Sequence, residues 1–149
     1  MGSIRVLVAD DHPLIAQGLV GALRSFDIEI VEGVTDGEIV VQRFIELAPD
    51  VLVLDLRIGP VRGLEIARAL LAKRRQARIV VYSQFDQTHI VREAYRCGVK
   101  AFVPKSAEVT ALADAIVAAH TGAESYLPEI AERLARMSVH GDDSPQSKL

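Results

Sequence analysis

The sequence predicts a doubly wound α/β domain built on a five-stranded parallel sheet. Five short runs rich in β-branched and apolar residues recur along the chain, and segments with helical periodicity separate them in strict alternation. Three of the runs are almost continuously apolar, which is typical of parallel strands covered on both faces. The runs are IRVLVA (4–9), IEIVEGV (28–34), VLVLD (51–55), RIVVYS (78–83) and KAFVP (100–104).

The helix boundaries agree with this alternation. Asp36 is an N-cap candidate for the second helix, Pro49 ends that helix, and Gly98 lies where a C-terminal cap of the fourth helix is expected. Because the connections between parallel strands are short, each crossover is expected to be right-handed. The predicted core elements end near residue 122.

The chain has 149 residues, enough for one domain with a substantial core. Residues 1–122 are predicted to form that domain. The segment LPEIAERLARM (127–137) is amphipathic and predicts a short helix within the remaining 123–149. The polar stretch SVHGDDSPQSKL (138–149) has no apolar period and predicts a linker or tail.

The composition excludes several classes of protein. A formal net charge of −3 gives no overall attraction to nucleic acid, and the basic stretch 73–78 is interpreted as a solvated helix end. The single cysteine, Cys97, excludes an internal disulfide and a zinc site made of several cysteines. No apolar run is long enough to span a bilayer and no signal peptide opens the chain, so we expect a cytoplasmic protein with no membrane contact.

Polar side chains stand at the carboxyl ends of four predicted strands, where open α/β sheets bind their ligands. Asp10 and Asp11 follow the first strand, Asp55 ends the third, Ser83 ends the fourth and Lys105 follows the fifth. Each residue alone is more often a turn residue or a solvated charge. Five suitable residues at the correct strand ends make coincidence a poor explanation.

The chemistry of this set points to phosphoryl transfer. Three carboxylates close together raise one another's pKa and require a cation. Oxygen ligands with room for water suit Mg²⁺ better than zinc or copper. The ion would leave Asp55 as a nucleophile facing a phosphoryl group, and Ser83 and Lys105 would hold the phosphoryl oxygens.

Together with Phe102, these residues resemble the receiver domain of two-component response regulators over about residues 4–121. The stretches DDHPLIAQGL and VPKSAEVTALADAI are similar to the NarL/FixJ subfamily, whose receivers precede a LuxR-type helix-turn-helix domain. The resemblance implies a flavodoxin-like (CheY-like) receiver fold.

The resemblance also implies a role for each site residue. Asp55 would be the phosphoacceptor and would take its phosphoryl group from a phosphohistidine of a sensor histidine kinase. Asp11, Asp55 and the backbone carbonyl of Arg57 would ligate Mg²⁺, while Asp10 would act largely through water.

The resemblance implies that Ser83 and Phe102 are a switch pair: on phosphorylation Ser83 would turn toward the phosphoryl group and Phe102 would move inward. Their movement would reshape the surface of the fourth helix, fifth strand and fifth helix.

The resemblance implies a homodimer through the first or fifth helix, or through the face of the fourth and fifth helices. It favours a fragment of a transcription factor whose DNA-binding domain is missing, with a stand-alone receiver acting by protein contact as the alternative.

The loop LRIGPVRG after Asp55 departs from the family's pattern. Family members usually have Met-Pro where this chain has Ile58-Gly59, and Pro60 comes one position later, with Gly63 in its usual place. We expect this shift to change the shape of the loop and not the chemistry.

Three neighbouring side chains are secondary to the site. His12, beside Pro13 at a helix start, is interpreted as a local capping group or an outer neighbour of the acids, not as a metal ligand. Arg57 and Phe85 are expected to flank the phosphoryl group and to affect the rate at which water removes it.

Two other classes of protein share part of this pattern. A haloacid-dehalogenase-type phosphatase also uses a strand-end aspartate with Mg²⁺, but it needs a second aspartate at the position of Arg57. The sequence therefore predicts a phosphoacceptor switch and not an enzyme. An unphosphorylated interaction module that keeps only the fold would lack Mg²⁺ binding.

Overall fold

The computed structural model describes residues 2–126 together with residues 132, 135 and 136. The helix predicted over 127–137 and the tail predicted over 138–149 lie outside the described residues, apart from those three positions. The strands are β1 (Ile4–Ala9), β2 (Ile28–Val34), β3 (Val51–Leu54), β4 (Arg57–Ile58), β5 (Val61–Arg62), β6 (Ile79–Ser83), β7 (Ala101–Pro104) and β8 (Ser125–Tyr126). The helices are α1 (Pro13–Arg24), α2 (Val40–Leu47), α3 (Gly63–Lys73), α4 (Thr88–Cys97) and α5 (Val109–His120), and a 3₁₀ turn (Gly37–Ile39) precedes α2.

The main sheet is parallel and has the strand order β2-β1-β3-β6-β7-β8. The order reverses at β1, because β2 lies on one side of it and β3 on the other. This reversal defines a doubly wound sheet, and ligands bind such sheets beyond the carboxyl ends of the strands next to it. The predicted fold class is confirmed.

Helices cover both faces of the sheet. Side chains alternate along each strand, so Val6 and Val8 pack under α1 and α5, whereas Leu7 and Ala9 pack under α2, α3 and α4. Both clusters consist of almost fully buried apolar side chains, and Phe44 and Phe102 are the aromatic members of the second. Burial on both faces explains why the strands read as apolar runs and not as alternating ones.

Two short elements were not expected from the sequence. The β8 strand pairs with β7 at the edge of the sheet and lies beyond the predicted last core element near residue 122. The stretch interpreted as a loop after Asp55 contains an antiparallel hairpin, in which Arg57 pairs with Arg62 and Ile58 with Val61. A two-residue strand is too short to show a periodicity, so pattern reasoning could not find either element.

The predicted helix boundaries hold, with one difference. Gly98 caps α4 in the left-handed conformation, with φ +103°, and α2 ends just before Pro49. Asp36 caps the 3₁₀ turn and not α2 itself: its Oδ1 accepts the backbone N–H of Glu38 at 2.9 Å. The turn stands between the cap and the helix that the cap was predicted to start.

Replacing Asp36 by alanine is expected to destabilise the protein by about 1 kcal/mol, the usual cost of losing an N-cap acceptor. Urea unfolding would measure this loss. Asparagine also carries an Oδ1 that can accept the Glu38 N–H, so Asp36→Asn should retain most of the stability. An equal loss in the alanine and asparagine variants would contradict this account of Asp36.

Candidate functional site

Four neighbouring strands bring the predicted side chains to one edge of the sheet. Asp10 follows β1, Asp55 follows β3, Ser83 ends β6 and Lys105 follows β7. One ligand atom from each of Asp10, Asp11, His12 and Asp55 lies within 4.8 Å of the others. The structure therefore brings the predicted acids together, and this cluster could hold a metal ion.

The Lys105 ammonium lies between two of the buried carboxylates. Its Nζ donates to Asp10 Oδ2 at 2.6 Å and to Asp55 Oδ2 at 2.9 Å. Burial lowers the pKa of Lys105, but the hydrogen bonds to Asp10 and Asp55 outweigh it and hold the pKa above its ordinary value. Lys105 is therefore charged at neutral pH and offsets the repulsion between the two acids.

Asp11 presents one oxygen to the cluster. Its Oδ2 accepts the backbone N–H of Gly59 at 3.0 Å, whereas its Oδ1 is buried, accepts no hydrogen bond among the described residues, and lies 3.0 Å from His12 Nδ1. A buried carboxylate oxygen is stabilised by a positive neighbour. An acceptor of this kind beside two further carboxylates fits a bound cation, so the donor set suits Mg²⁺.

His12 faces the acids. It occupies the N-cap position of α1, but its side chain makes no capping hydrogen bond, so the capping part of its interpretation is wrong. Its Nδ1 lies 3.0 Å from Asp11 Oδ1, while its hydrogen bond runs to Asp10 Oδ1 at 3.2 Å. Because an ionised carboxylate can only accept, this bond requires a proton on Nδ1. His12 is thus an outer neighbour of the acids in this arrangement.

Ser83 and Phe102 lie on neighbouring strands and on the same face of the sheet. Phe102 pairs with Val81, two residues before Ser83, and side chains two residues apart share a face. Both residues are fully buried, and the Ser83 hydroxyl accepts the backbone N–H of Phe85 at 3.1 Å. The ring of Phe102 is therefore turned inward in this structure, which is the position expected of it after phosphorylation.

Arg57 and Phe85 line one cavity of about 420 Å³ between the β4–β5 hairpin, α3 and α4. Arg57 is exposed, and Leu56, the chain neighbour of Asp55, also lines the cavity. The two residues expected to flank the site are thus brought to the same groove beside Asp55.

Two glycines of the site were not given a role from the sequence. The N–H of Gly59 contacts Asp11, and a Cβ on Gly63 would lie 2.1 Å from the carbonyl oxygen of Asp55. The only available signal was the altered order of residues in LRIGPVRG, and order alone does not reveal a contact with β1.

A doubly wound sheet with an acid cluster and a lysine at its carboxyl edge defines the receiver class of signalling domains. The chain belongs to this class: the sequence model of the response regulator receiver domain family matches residues 6–117. The resemblance found from the motifs is therefore confirmed.

The relatives are response regulators of the LuxR and NarL type. The transcriptional regulatory protein LiaR of Bacillus subtilis is 29% identical over 143 residues, which cover 95% of this chain and 68% of LiaR. The solved receiver domain of the regulator NarL from Mycobacterium tuberculosis is 30% identical, with a TM-score of 0.76, and the match covers 82% of this chain and 99% of that one. A LuxR-family regulator from Aurantimonas sp. SI85-9A1 has a TM-score of 0.84 at 26% identity, covering 93% and 99%.

The chain spans roughly two thirds of the length of the curated relatives that it matches, between 64% and 70% for the first of them. Within the described residues, none of the helices combines the length and the apolar composition that crossing a membrane requires.

Proposed function

We propose that this receiver accepts a phosphoryl group on Asp55 in the presence of Mg²⁺. The observation that carries the proposal is the cluster at the carboxyl edge of the sheet, where the half-buried Lys105 joins Asp10 to Asp55 and the Asp11 carboxylate lies beside them. A structural ion pair needs one acid for each base, whereas this cluster holds a surplus of carboxylates. That surplus is the arrangement expected of a site that receives a divalent cation.

Asp11, Asp55 and the backbone carbonyl of Arg57 would hold Mg²⁺, with Asp10 acting through water. The support is the all-oxygen character of these donors and the proximity of the three carboxylates. When bound, Mg²⁺ would neutralise the carboxylates and the charge that develops on the phosphoryl oxygens.

The chain's own residues would carry the transfer from the phosphohistidine of a sensor histidine kinase. A carboxylate oxygen of Asp55 attacks phosphorus, so that an O–P bond forms and the P–N bond to the kinase imidazole breaks. The imidazole nitrogen leaves with the electron pair and takes a proton from solvent. The Lys105 ammonium, which now donates to the carboxylates, would donate to a phosphoryl oxygen, and the Ser83 hydroxyl would donate to another.

The Ser83 hydroxyl accepts from the N–H of Phe85, and its own O–H would be donated to a phosphoryl oxygen when the side chain turns toward that group. Its movement would allow the inward ring of Phe102 to repack and would alter the face made by α4, β7 and α5. A two-state change of this kind is how phosphorylation biases a domain. Arg57 and Phe85, which line the groove beside Asp55, would set the access of water to the acyl phosphate.

The output would be transcription, exerted as a homodimer in the cytoplasm. The support is that relatives such as LiaR are named transcriptional regulatory proteins and are longer than this chain. In this arrangement, residues 1–122 are the receiver and 123–149 lead toward a LuxR-type helix-turn-helix domain, through which DNA would be bound.

Intact-mass spectrometry tests the phosphoacceptor. Incubated with Mg²⁺ and a small phosphoryl donor such as acetyl phosphate, the protein should gain one phosphoryl group. The reason is that Asp55 is a strand-end nucleophile with the Lys105 ammonium and the added Mg²⁺ beside it. Asp55→Asn should gain none, and chelation of Mg²⁺ should prevent the gain in the wild type.

Asp114→Asn is the matched control, because Asp114 is an exposed carboxylate on α5, away from the strand ends. Absence of the adduct in the wild type, or its persistence in Asp55→Asn, would sink the proposal. Repeated turnover of a generic phosphate ester would instead indicate a phosphatase.

A further inference from the structure

The hairpin after Asp55 connects two proposed Mg²⁺ ligands that come from different strands. At its tip, the Gly59 N–H donates to Asp11 Oδ2 at 3.0 Å. At its base, the Gly63 N–H donates to the carbonyl of Leu56 at 2.8 Å, directly beside Asp55. The hairpin therefore forms a short bridge of backbone from Asp55 to the carboxylate of Asp11.

The donor at the tip exists because of this chain's departure from the family's pattern. Position 59 is occupied by proline in the usual Met-Pro order, and a proline has no N–H to donate. Here Gly59 has φ +61°, and Pro60 is confined to negative φ. A positive φ at the first central residue alone defines a type II′ turn, which matches the twist of a two-residue hairpin.

The geometry at Asp11 shows what this donor does. The hydrogen bond to Oδ2 orients the carboxylate, and Oδ1 is then the buried oxygen, 3.0 Å from His12 Nδ1 in the cluster that Asp10 and Asp55 also form. We infer that Gly59 is a positioning residue of the Mg²⁺ site, whose backbone N–H holds Asp11 so that Oδ1 faces the ion. This inference rests on the proposed function, because it takes Asp11 as a ligand.

The hairpin is anchored well enough to hold a ligand in place. The side chain of Ile58 is 1% exposed and belongs to the core. Val61 packs against the 3₁₀ turn so closely that a Cβ on Gly37 would lie 2.7 Å from the Val61 Cβ. Outer hydrogen bonds to metal ligands act by restricting orientation, and removing one typically costs 10- to 100-fold in metal affinity.

Exchanging the two turn residues removes the N–H together with the positive φ at position 59. The double variant Gly59→Pro with Pro60→Gly restores the usual proline position and removes the donor, so we expect its Mg²⁺ affinity, measured by calorimetric titration, to fall about tenfold. Gly59→Asn keeps the N–H and tolerates positive φ, and nothing lies within 4 Å of a Cβ there, so it should bind nearly as the wild type does. Pro60→Ala is the matched control for the loss of Pro60.

A second readout does not depend on how well the exchanged variant folds. In ¹H–¹⁵N spectra, the Gly59 amide should shift when Asp11 is changed to asparagine and when the wild type is saturated with Mg²⁺. A Gly59 amide that does not donate to the Asp11 carboxylate would shift no more in either case than the neighbouring amides of the hairpin do.

The outcomes separate this inference from the proposed function. A wild type that neither binds Mg²⁺ nor takes a phosphoryl group overturns the proposed function. A wild type that does both, alongside a folded exchange variant of equal Mg²⁺ affinity or a Gly59 amide indifferent to Asp11→Asn, overturns the role of Gly59 alone.

Discussion

Lys105→Met is expected to destabilise the Mg²⁺-free protein by about 2 kcal/mol. Removing one partner of a fully buried ion pair costs about 3–5 kcal/mol, because the other charge is left uncompensated. Lys105 is 17% exposed while Asp10 is 4% exposed, so solvent screens part of the loss and the expected cost falls below that range. Methionine keeps most of the apolar stem, which leaves the charge as the main difference.

Mg²⁺ should then reduce the difference in the free energy of unfolding between Lys105→Met and the wild type. A ligand that binds only the folded state stabilises it by about 2.7 kcal/mol at a hundred times its Kd. Without Lys105, the ion would also supply the cation that Asp10 and Asp55 have lost, so it should stabilise the variant more than the wild type. Urea unfolding with and without Mg²⁺ measures both effects.

The pKa of Lys105 determines the pH at which the urea unfolding should be measured. Its folded-state pKa is raised, so its contribution is fully present below the unfolded-state pKa and is lost as the pH rises through the folded-state value. Neutral pH therefore lies within the window of full effect. Lys73→Met, at an exposed lysine near the opposite end of the sheet, is the control. Equal stability of Lys105→Met and the wild type without Mg²⁺ would contradict this account.

The strand ends could be predicted because their physics is local. A buried parallel strand reads as an apolar run, so the first polar residue after it marks the edge where ligands bind. This reasoning located Asp10, Asp55, Ser83 and Lys105. It required no knowledge of distances, since the sheet itself brings neighbouring strand ends together.

Contacts between segments far apart in the chain could not be predicted in this way. The bond from Gly59 to Asp11 joins residues 48 positions apart and depends on the φ of one glycine. The position of His12 before a proline suggests a helix cap, but the neighbouring carboxylates attract its imidazole more strongly than the backbone does. At that residue a contact with its immediate chain neighbours replaced the expected side-chain cap.

Gly63→Ala is expected to destabilise the protein by about 3 kcal/mol, at the upper end of the usual cost of overpacking. A Cβ at this position would lie 2.1 Å from the carbonyl oxygen of Asp55 and 2.7 Å from the Cα of Leu56. Both are backbone atoms, so no side-chain rotation relieves the contact. The φ of Gly63 is not positive, so the requirement for glycine is one of space and not of conformation.

The same substitution at Gly18 should have the opposite effect on stability. Gly18 lies within α1, and a Cβ there would meet nothing within 4 Å, so Gly18→Ala should stabilise the protein by about 0.5–1 kcal/mol through the entropy of the unfolded chain. Urea unfolding compares the two variants, and titration with Mg²⁺ adds a functional readout. Relief of the clash at position 63 must move the backbone of Asp55, so the Mg²⁺ affinity should fall in Gly63→Ala and stay unchanged in Gly18→Ala. A Gly63→Ala variant that keeps both its stability and its Mg²⁺ affinity would show that the close approach of α3 to Asp55 is not what holds the phosphoacceptor in place.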